Sequence, residues 1–404
     1  MPLPERAEVV VVGAGLAGLF AAWRLRPAGC DVHVVEAGGH AGGRLATERI
    51  DGFVIDRGFQ VLNTGCPRAA DLDFHALELG WFASGAVIRS GNRTHRVGDP
   101  RRLPSTVLDT LTAPLGSVRE KAALAAFSVR AAYGPLSALM RRSERSAERS
   151  LRDAGVGDAA MERFLRPSLA GVLLESELAT PSRYLDLLRR SFVRGGIGLP
   201  AAGMQAVGAQ LARRVEAHRL HLGVRVRTVV AGSVTTDQGV CRADAVVVAT
   251  DPDTATELLP AIEASAPRRV TTHFHVLPAS PWVQPLIVLG QPGGRLVNSV
   301  VVPDAQPRYS PDQRALVSSS TLEPTREGAV RNEVAAAHGV SPSDLQHLTT
   351  VTVAHAQPAA LPPLQLRRPV DLGDGLQGAM ASGARTARAV MRRLRPTAAV
   401  PGAA

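Results

Sequence analysis

The sequence predicts an α/β fold in which a parallel-sheet domain is interrupted by an inserted α+β region. Three observations predict it. A β-branched run, Val9 to Val12, leads straight into the glycine-spaced turn Gly13-Ala14-Gly15-Leu16-Ala17-Gly18. A second such run, Val32 to Val35, follows one helix later and ends on Glu36. Far downstream, Ala243-Asp244-Ala245-Val246-Val247-Val248-Ala249-Thr250 repeats the buried-strand pattern after a long helical stretch.

Each element follows from its residues. An unbroken β-branched run suits a strand buried on both faces of a parallel sheet. Gly13 permits a tight turn, Gly15 lets a pyrophosphate approach the backbone, and Gly18 lets the next helix pack close to the strand. That helix points its first N–H groups and positive dipole end at the phosphates. Leu16, Leu19, Phe20 and Trp23 recur at helical spacing along it, and Pro27 and Gly29 end it. Glu36 closes the second strand, where a carboxylate accepts hydrogen bonds from an adenosine ribose. Strand, turn, helix, strand and acid arrive in the order of a Rossmann-like dinucleotide site. A glycine-rich turn in another α/β fold leaves Glu36 unexplained.

Beyond the acid come Gly38-Gly39-His40-Ala41-Gly42-Gly43-Arg44 and then Asp51-Gly52-Phe53-Val54-Ile55-Asp56-Arg57-Gly58-Phe59-Gln60. This resembles the extended flavin signature of the flavin amine oxidase and phytoene desaturase superfamily. The resemblance implies a Rossmann-like FAD-binding domain with an inserted α+β substrate domain, a helical cap plus an antiparallel or mixed sheet. It implies FAD as cofactor. Gly13, Gly15, Leu16, Ala17 and Gly18 are then the phosphate turn, and Glu36 and Ala37 belong to the adenosine end. Gly43 and Arg44 run along the pyrophosphate, where a guanidinium fork donates paired hydrogen bonds to phosphate oxygens. Gly58, Phe59 and Gln60 lie near the flavin. The resemblance also carries over Val230, against the adenine, and Thr250, at a strand end beside the cofactor.

Composition narrows the partners. The chain has 404 residues, 45% hydrophobic and 20% charged, the balance of a globular protein of two or three domains. Its net charge of +10 raises nucleic acid as a partner, but the arginines are scattered in pairs with no aromatic interleaving, so none is expected. Peripheral contact with an anionic bilayer stays open. Cys30, Cys66 and Cys241 match no metal or redox spacing and read as packing residues in a reducing cytoplasm. Glu5, Arg6 and Glu8 interrupt any signal-peptide core, and Arg130 with Gly134-Pro135 interrupts the longest apolar stretch.

The expected organisation is discontinuous: an FAD-binding domain from 1–65, 200–265 and 351–394, a helical cap over 66–199, a sheet over 266–350, and a disordered tail over 395–404. Ser117 and Glu120 form a capping box whose helix Gly134-Pro135 stops. Thr180-Pro181 reads as an N-cap with proline at the first helical position, and Tyr184, Leu187, Leu188 and Phe192 as that helix's apolar face. Strands are expected over 271–276, 286–289, 296–302 and 315–319. His273 and His275 share a strand face, read as polar strand positions or cavity lining rather than as metal ligands, and no metal is expected. His338 at a helix end reads as a cation meeting the dipole.

At the carboxyl end the chain departs from the family. Relatives carry a last strand ending in Gly-Asp, a loop, and a helix beginning near Gln-Gly-Ala. Here Asp371-Leu372-Gly373-Asp374-Gly375-Leu376 runs directly into Gln377-Gly378-Ala379, so strand, Gly-Asp and loop are missing between matching flanks. The resemblance implies an FAD-dependent oxidoreductase that passes a hydride from a substrate carbon to flavin. No catalytic residue is assigned. Amine oxidases set a lysine beside the flavin and two aromatic rings around the amine. Lys121 is the single lysine here and no aromatic residue follows Tyr309. A small-molecule substrate that is apolar or amphipathic, taken desaturase- or oxidase-like, therefore fits better. The alternatives are a flavin-dependent isomerase, or a degenerate member that keeps the nucleotide but not turnover. The oligomeric state is not legible.

Overall fold

The computed structural model describes residues 2–91, 93–262, 266–358 and 375–395. They fall into two compact units, one from 1–46, 204–266 and 370–404, the other from 47–203 and 267–369. The chain therefore leaves the first unit at 46/47, two residues past Arg44, rather than near 65. The segment 351–358, expected in the FAD-binding domain, belongs instead to strand Gln346–Pro358 of the second unit. Its alternating residues pair along nearly the whole of strand Pro267–Leu277, which decides its membership. Asp371, Asp374 and the tail from 396 lie outside the described residues.

The first unit is built on a six-stranded sheet. Its order is Leu220–Leu222, Val32–Glu36, Arg6–Val12, Gly239–Val248, Ser233–Thr236, Val226–Val230. The first four strands are parallel, with Val12 level with Val35 on one side and Val248 on the other. The last three form an antiparallel meander. Val9, Val10 and Val11 are fully buried, as the unbroken run requires. The meander's Val234 and Cys241 pack with Val10, Val12 and Val35 in one cluster. Helix Leu16–Leu25 buries Leu19, Phe20 and Leu25. Helix Gly375–Leu394 lies against it so closely that a Cβ on Gly383 would stand 2.4 Å from the Ala17 carbonyl oxygen.

The second unit is built on a seven-stranded mixed sheet. Its order is Gln346–Pro358, Pro267–Leu277, Ala315–Thr321, Asn298–Val301, Ile287–Leu289, Gly85–Ser90, Arg93–Gly98. Only the pair Ile287–Leu289 and Gly85–Ser90 is parallel. The four strands expected over 271–319 are all present. Helix Glu327–His338 covers one face through Val330 and Val334. The helical region packs Phe127, Leu151, Met161, Leu169 and Leu173 on Ala86, Ile88 and Leu289. Helix Val118–Tyr133 starts with both halves of the Ser117–Glu120 capping box. Helix Ser182–Arg194 starts one residue later than expected, with Pro181 itself at the cap. Of its expected apolar face Tyr184 and Leu188 pack on the core beside fully buried Leu185, while Asp186 is buried against Arg142 at 3.1 Å.

Candidate nucleotide-binding site

In the first unit the two glycine loops stack on one another. Gly13 has φ +104°, and a Cβ there would stand 2.7 Å from the Ala249 carbonyl oxygen. Only glycine satisfies both demands. Gly18 meets the Gly13 carbonyl at 2.0 Å by the same measure, which sets the close approach of helix and strand. Gly15 behaves differently: a Cβ there would meet nothing within 4 Å. The helix begins at Gly15 with no side-chain cap, so the first N–H groups, those of Leu16 and Ala17 among them, are not consumed by capping. Gly42 donates its N–H to the Ala14 carbonyl at 2.8 Å and bridges Gly15 in parallel. Gly43 has φ +60°, and a Cβ there would stand 3.1 Å from the Gly15 Cα.

Glu36 is held firmly. Its Oε2 accepts from Ala14 N–H at 2.8 Å and its Oε1 from Gly38 N–H at 2.8 Å. A carboxylate offers about four acceptor positions, so capacity remains for a ribose diol. Exposed Ala37 forms the turn after it. Val224 N–H donates to the Glu36 carbonyl and Gly223 N–H to that of Gly38, which brings the chain after Leu220–Leu222 to the acid. Arg44 is exposed. The surrounding protein lowers its pKa while the Asp251 carboxylate works in the opposite sense, and the guanidinium stays charged throughout. Thr250 closes the far side of the loop, its backbone nitrogen 3.2 Å from the position of a Gly13 Cβ.

The structure thus brings Gly13, Gly15, Leu16, Ala17, Gly18, Glu36, Ala37, Gly43, Arg44 and Thr250 into one unit. Val230 is in that unit but stands apart. It is 59% exposed at the end of the edge strand, whereas Val224 and Val226 pack in the cluster with Val12 and Val35. The turn after Leu222 brings Val224, rather than Val230, to the backbone of Glu36. An open Gly15, uncapped helix amides, a charged arginine and an anchored carboxylate fit the ADP half of a dinucleotide.

Gly58, Phe59 and Gln60 belong to the second unit and line a small cleft there, whose free volume of about 10 Å³ is roughly that of one water. Val54, Leu199, Phe274 and Leu316 give it an apolar wall. Its polar feature was not legible in sequence: buried Asp56 accepts from Tyr309 Oη at 2.6 Å and from Thr47 Oγ1 at 2.6 Å. Burial and the neighbouring carboxylate push the Tyr309 phenol well above its usual value. Nothing linear connects residues 253 positions apart.

The histidines on the other sheet face have structural partners. His275 Nε2 meets Glu327 Oε1 at 2.8 Å and His273 Nδ1 meets Thr350 Oγ1 at 3.0 Å. His338 does end its helix, but as a neutral group rather than a cation. Burial draws its pKa down to about 3, and its Nδ1 accepts from Trp282 Nε1–H at 2.8 Å. The proton therefore sits on Nε2, which faces Ser299 Oγ at 2.7 Å.

Comparison with known proteins places these features. The family model described as flavin containing amine oxidoreductase matches residues 16–322. Mitochondrial protoporphyrinogen oxidase of Nicotiana tabacum is 37% identical over 106 residues, 26% of this chain and 20% of that protein. The match thus spans about a fifth of that relative's length. Among solved structures, a putative protoporphyrinogen oxidase from Exiguobacterium sp. 255-15 superposes with TM-score 0.68 at 18% identity, covering 97% of this chain and 100% of the other. Cyclohexylamine oxidase from Brevibacterium oxydans IH-35A gives TM-score 0.68 at 19% identity, covering 97% and 100%. At such identities the likeness is one of fold.

Proposed function

This chain belongs to the flavin-containing amine oxidoreductase family; from that premise we propose that it is an FAD-dependent oxidoreductase that oxidises an apolar or amphipathic small molecule at carbon. One observation carries the cofactor assignment to particular residues: the Glu36 carboxylate anchored by Ala14 and Gly38 beside the open backbone of Gly15. On this reading Leu16 and Ala17 N–H groups and Arg44 hold the pyrophosphate. Glu36 and the Ala37 turn take the adenosine end, with Val224 and Val226 rather than Val230 near the adenine. Thr250 borders the cofactor beyond the pyrophosphate within the first unit. Bound FAD supplies the hydride acceptor, and the protein's part is to position the substrate and exclude water.

The substrate class rests on two observations. The cleft of the second unit is walled by Leu199, Phe274 and Leu316. Lys121, the single lysine, donates to the Leu111 carbonyl within the helical region. Protoporphyrinogen oxidases among the similar proteins agree with oxidation at carbon, whereas cyclohexylamine oxidase stands for the amine branch. Denaturing the purified protein and identifying the released nucleotide tests the cofactor; FAD is expected, and a nicotinamide dinucleotide refutes it. Anaerobic mixing with simple amines and with polyenes separates the substrate branches. Flavin bleaching by a polyene is expected, and rapid bleaching by a primary amine overturns this reading.

A further inference from the structure

Helix Val118–Tyr133 of the second unit is apolar on the side that faces water as well as on the side that faces the core. Its inner side buries Phe127, Ala131 and Ala132, with Leu124 packed beside them. Its outer side carries Val118, Ala122, Ala125, Ala126, Val129 and Tyr133, all of them exposed. Val118, Ala122, Ala125, Val129 and Tyr133 recur at three- and four-residue spacing and so line one face from end to end. A surface helix ordinarily turns charged and polar groups to that side. The short helix before it, Val107–Thr112, does the same, with Leu108 72% and Leu111 60% exposed. Lys121 Nζ donates to the Leu111 carbonyl and ties the two helices together. Single exposed apolar residues are ordinary, whereas a continuous stripe of them marks an interaction surface.

The stripe is edged with cations. Exposed Arg119 and Arg130 flank it on the helix itself. At its end the Arg101 and Arg194 guanidiniums stand 5.6 Å and 6.0 Å from the centre of the Tyr133 ring. Exposed Arg102 donates to the Gly195 and Val193 carbonyls. Among the described residues Arg102, Arg119, Arg130 and Arg194 form no ion pair, since Asp99 is taken by Arg101 and Asp186 by Arg142. A second copy docked about a two-fold axis would set these arginines against one another. A protein partner is gripped by large side chains seated in pockets, and here alanine and valine dominate. A lipid surface asks only for apolar area and opposite charge, with arginine stems lying along the apolar zone and their heads among the phosphates. Tyr133 at the stripe's end suits the level of the headgroups.

We propose that the outer face of helix Val118–Tyr133, with the exposed leucines of Val107–Thr112, docks on the surface of an anionic lipid bilayer. The inference goes beyond the reaction proposed above and does not need it. Val118, Ala122, Ala125 and Val129 enter the boundary between headgroups and acyl chains, while Arg119 and Arg130 meet the lipid phosphates. The helix lies in the plane of the interface, because its other side is committed to the core through Phe127.

The test is co-sedimentation of the purified full chain with vesicles of phosphatidylcholine, alone or mixed with phosphatidylglycerol. Binding is expected to the mixed vesicles, to weaken as salt rises, and to be far weaker to phosphatidylcholine alone. Arg119→Gln/Arg130→Gln is expected to weaken it about thirtyfold, at roughly 1 kcal/mol for each basic residue at an anionic surface. Val118→Glu/Val129→Glu is expected to weaken it at least tenfold with an unchanged melting midpoint, since both side chains are exposed in the free protein. If that pair lowers the midpoint, the arginine pair decides. Arg225→Gln/Arg227→Gln removes the same charge from exposed positions of the first unit and is expected to bind nearly as the unmodified chain. An equal loss in this control shows that net charge alone drives binding and overturns the proposal. No binding to the mixed vesicles, equal binding to both kinds, or full binding by the arginine pair also overturns it. So does a dimer that the valine variant dissociates, because a second copy then covers the stripe.

Discussion

Glu36 is tied down through both oxygens of its carboxylate. Each oxygen accepts a backbone N–H, from Ala14 and from Gly38, which fixes the acid at the mouth of the glycine turn. Glu36→Ala is expected to weaken FAD binding by about 1–3 kcal/mol, the cost of losing hydrogen bonds to a charged group. Flavin titration measures it, and equal affinities reduce Glu36 to a loop anchor. His338 carries a different prediction. Its pKa is lowered to about 3, mainly by burial. Below the ordinary histidine value of about 6.5 the unfolded chain takes up a proton that folded His338 refuses. Its contribution to stability is therefore whole above that value and is lost as pH falls toward 3. His273, lowered to about 4, acts in the same sense. The acid limb of the stability profile should be shallower in His338→Gln, by up to about 1.4 kcal/mol per pH unit. Denaturant melts between pH 6.5 and 4 read that slope.

Among the elements, helix Gly375–Leu394 is the one whose packing is most exacting. Gly383 lets it lie against Ala17 and Phe20 of the helix that follows the glycine turn. A larger side chain would meet the Ala17 carbonyl oxygen at 2.4 Å and Ala21 N at 2.9 Å, both backbone atoms that cannot swing away. Gly383→Leu is expected to destabilise the first unit by about 1–3 kcal/mol, as overpacking does. The same shift of the helix bearing Leu16 and Ala17 should weaken nucleotide binding, although residue 383 touches no ligand in the proposed site. Paired melting and flavin titration test the coupling; a stable variant with full affinity shows that the helices separate freely.

For the molecule as a whole, the open question is how fully the dinucleotide is held. From Ala245 to Val248 the strand Gly239–Val248 pairs with Arg6–Val12 on one edge, and no described strand lies on the other. That edge is where a further parallel strand would add, and the stretch short of it in the sequence is 359–374, outside the described residues. A protein that holds only the ADP half gains equal stability from ADP and FAD. One that also holds the flavin gains more from FAD, since ligand stabilisation grows as RT ln(1 + [L]/Kd), about 2.7 kcal/mol at a hundredfold excess over Kd. FAD is expected to raise the melting midpoint clearly above ADP at equal concentration. Identical shifts support the degenerate reading and remove turnover from the proposal.

How much of this was legible depends on whether the responsible physics is local. Val9 to Val12, the Gly13–Gly18 spacing and Glu36 announce a nucleotide-binding unit because strand burial, turn sterics and helix dipoles act over a few neighbouring residues. The Ser117–Glu120 box and the strands over 271–319 were readable for the same reason. The borders between units were not, since strand Gln346–Pro358 joins its sheet through partners some eighty positions away. That Val224 rather than Val230 lies beside Glu36 required the backbone bond from Val224 to Glu36. The neutral state of His338 required Trp282, and the buried Asp56–Tyr309 pair required a cleft assembled from distant segments. Periodicity along a chain reports which face of an element is buried, but pairing and protonation depend on which remote atoms the fold brings within hydrogen-bond reach.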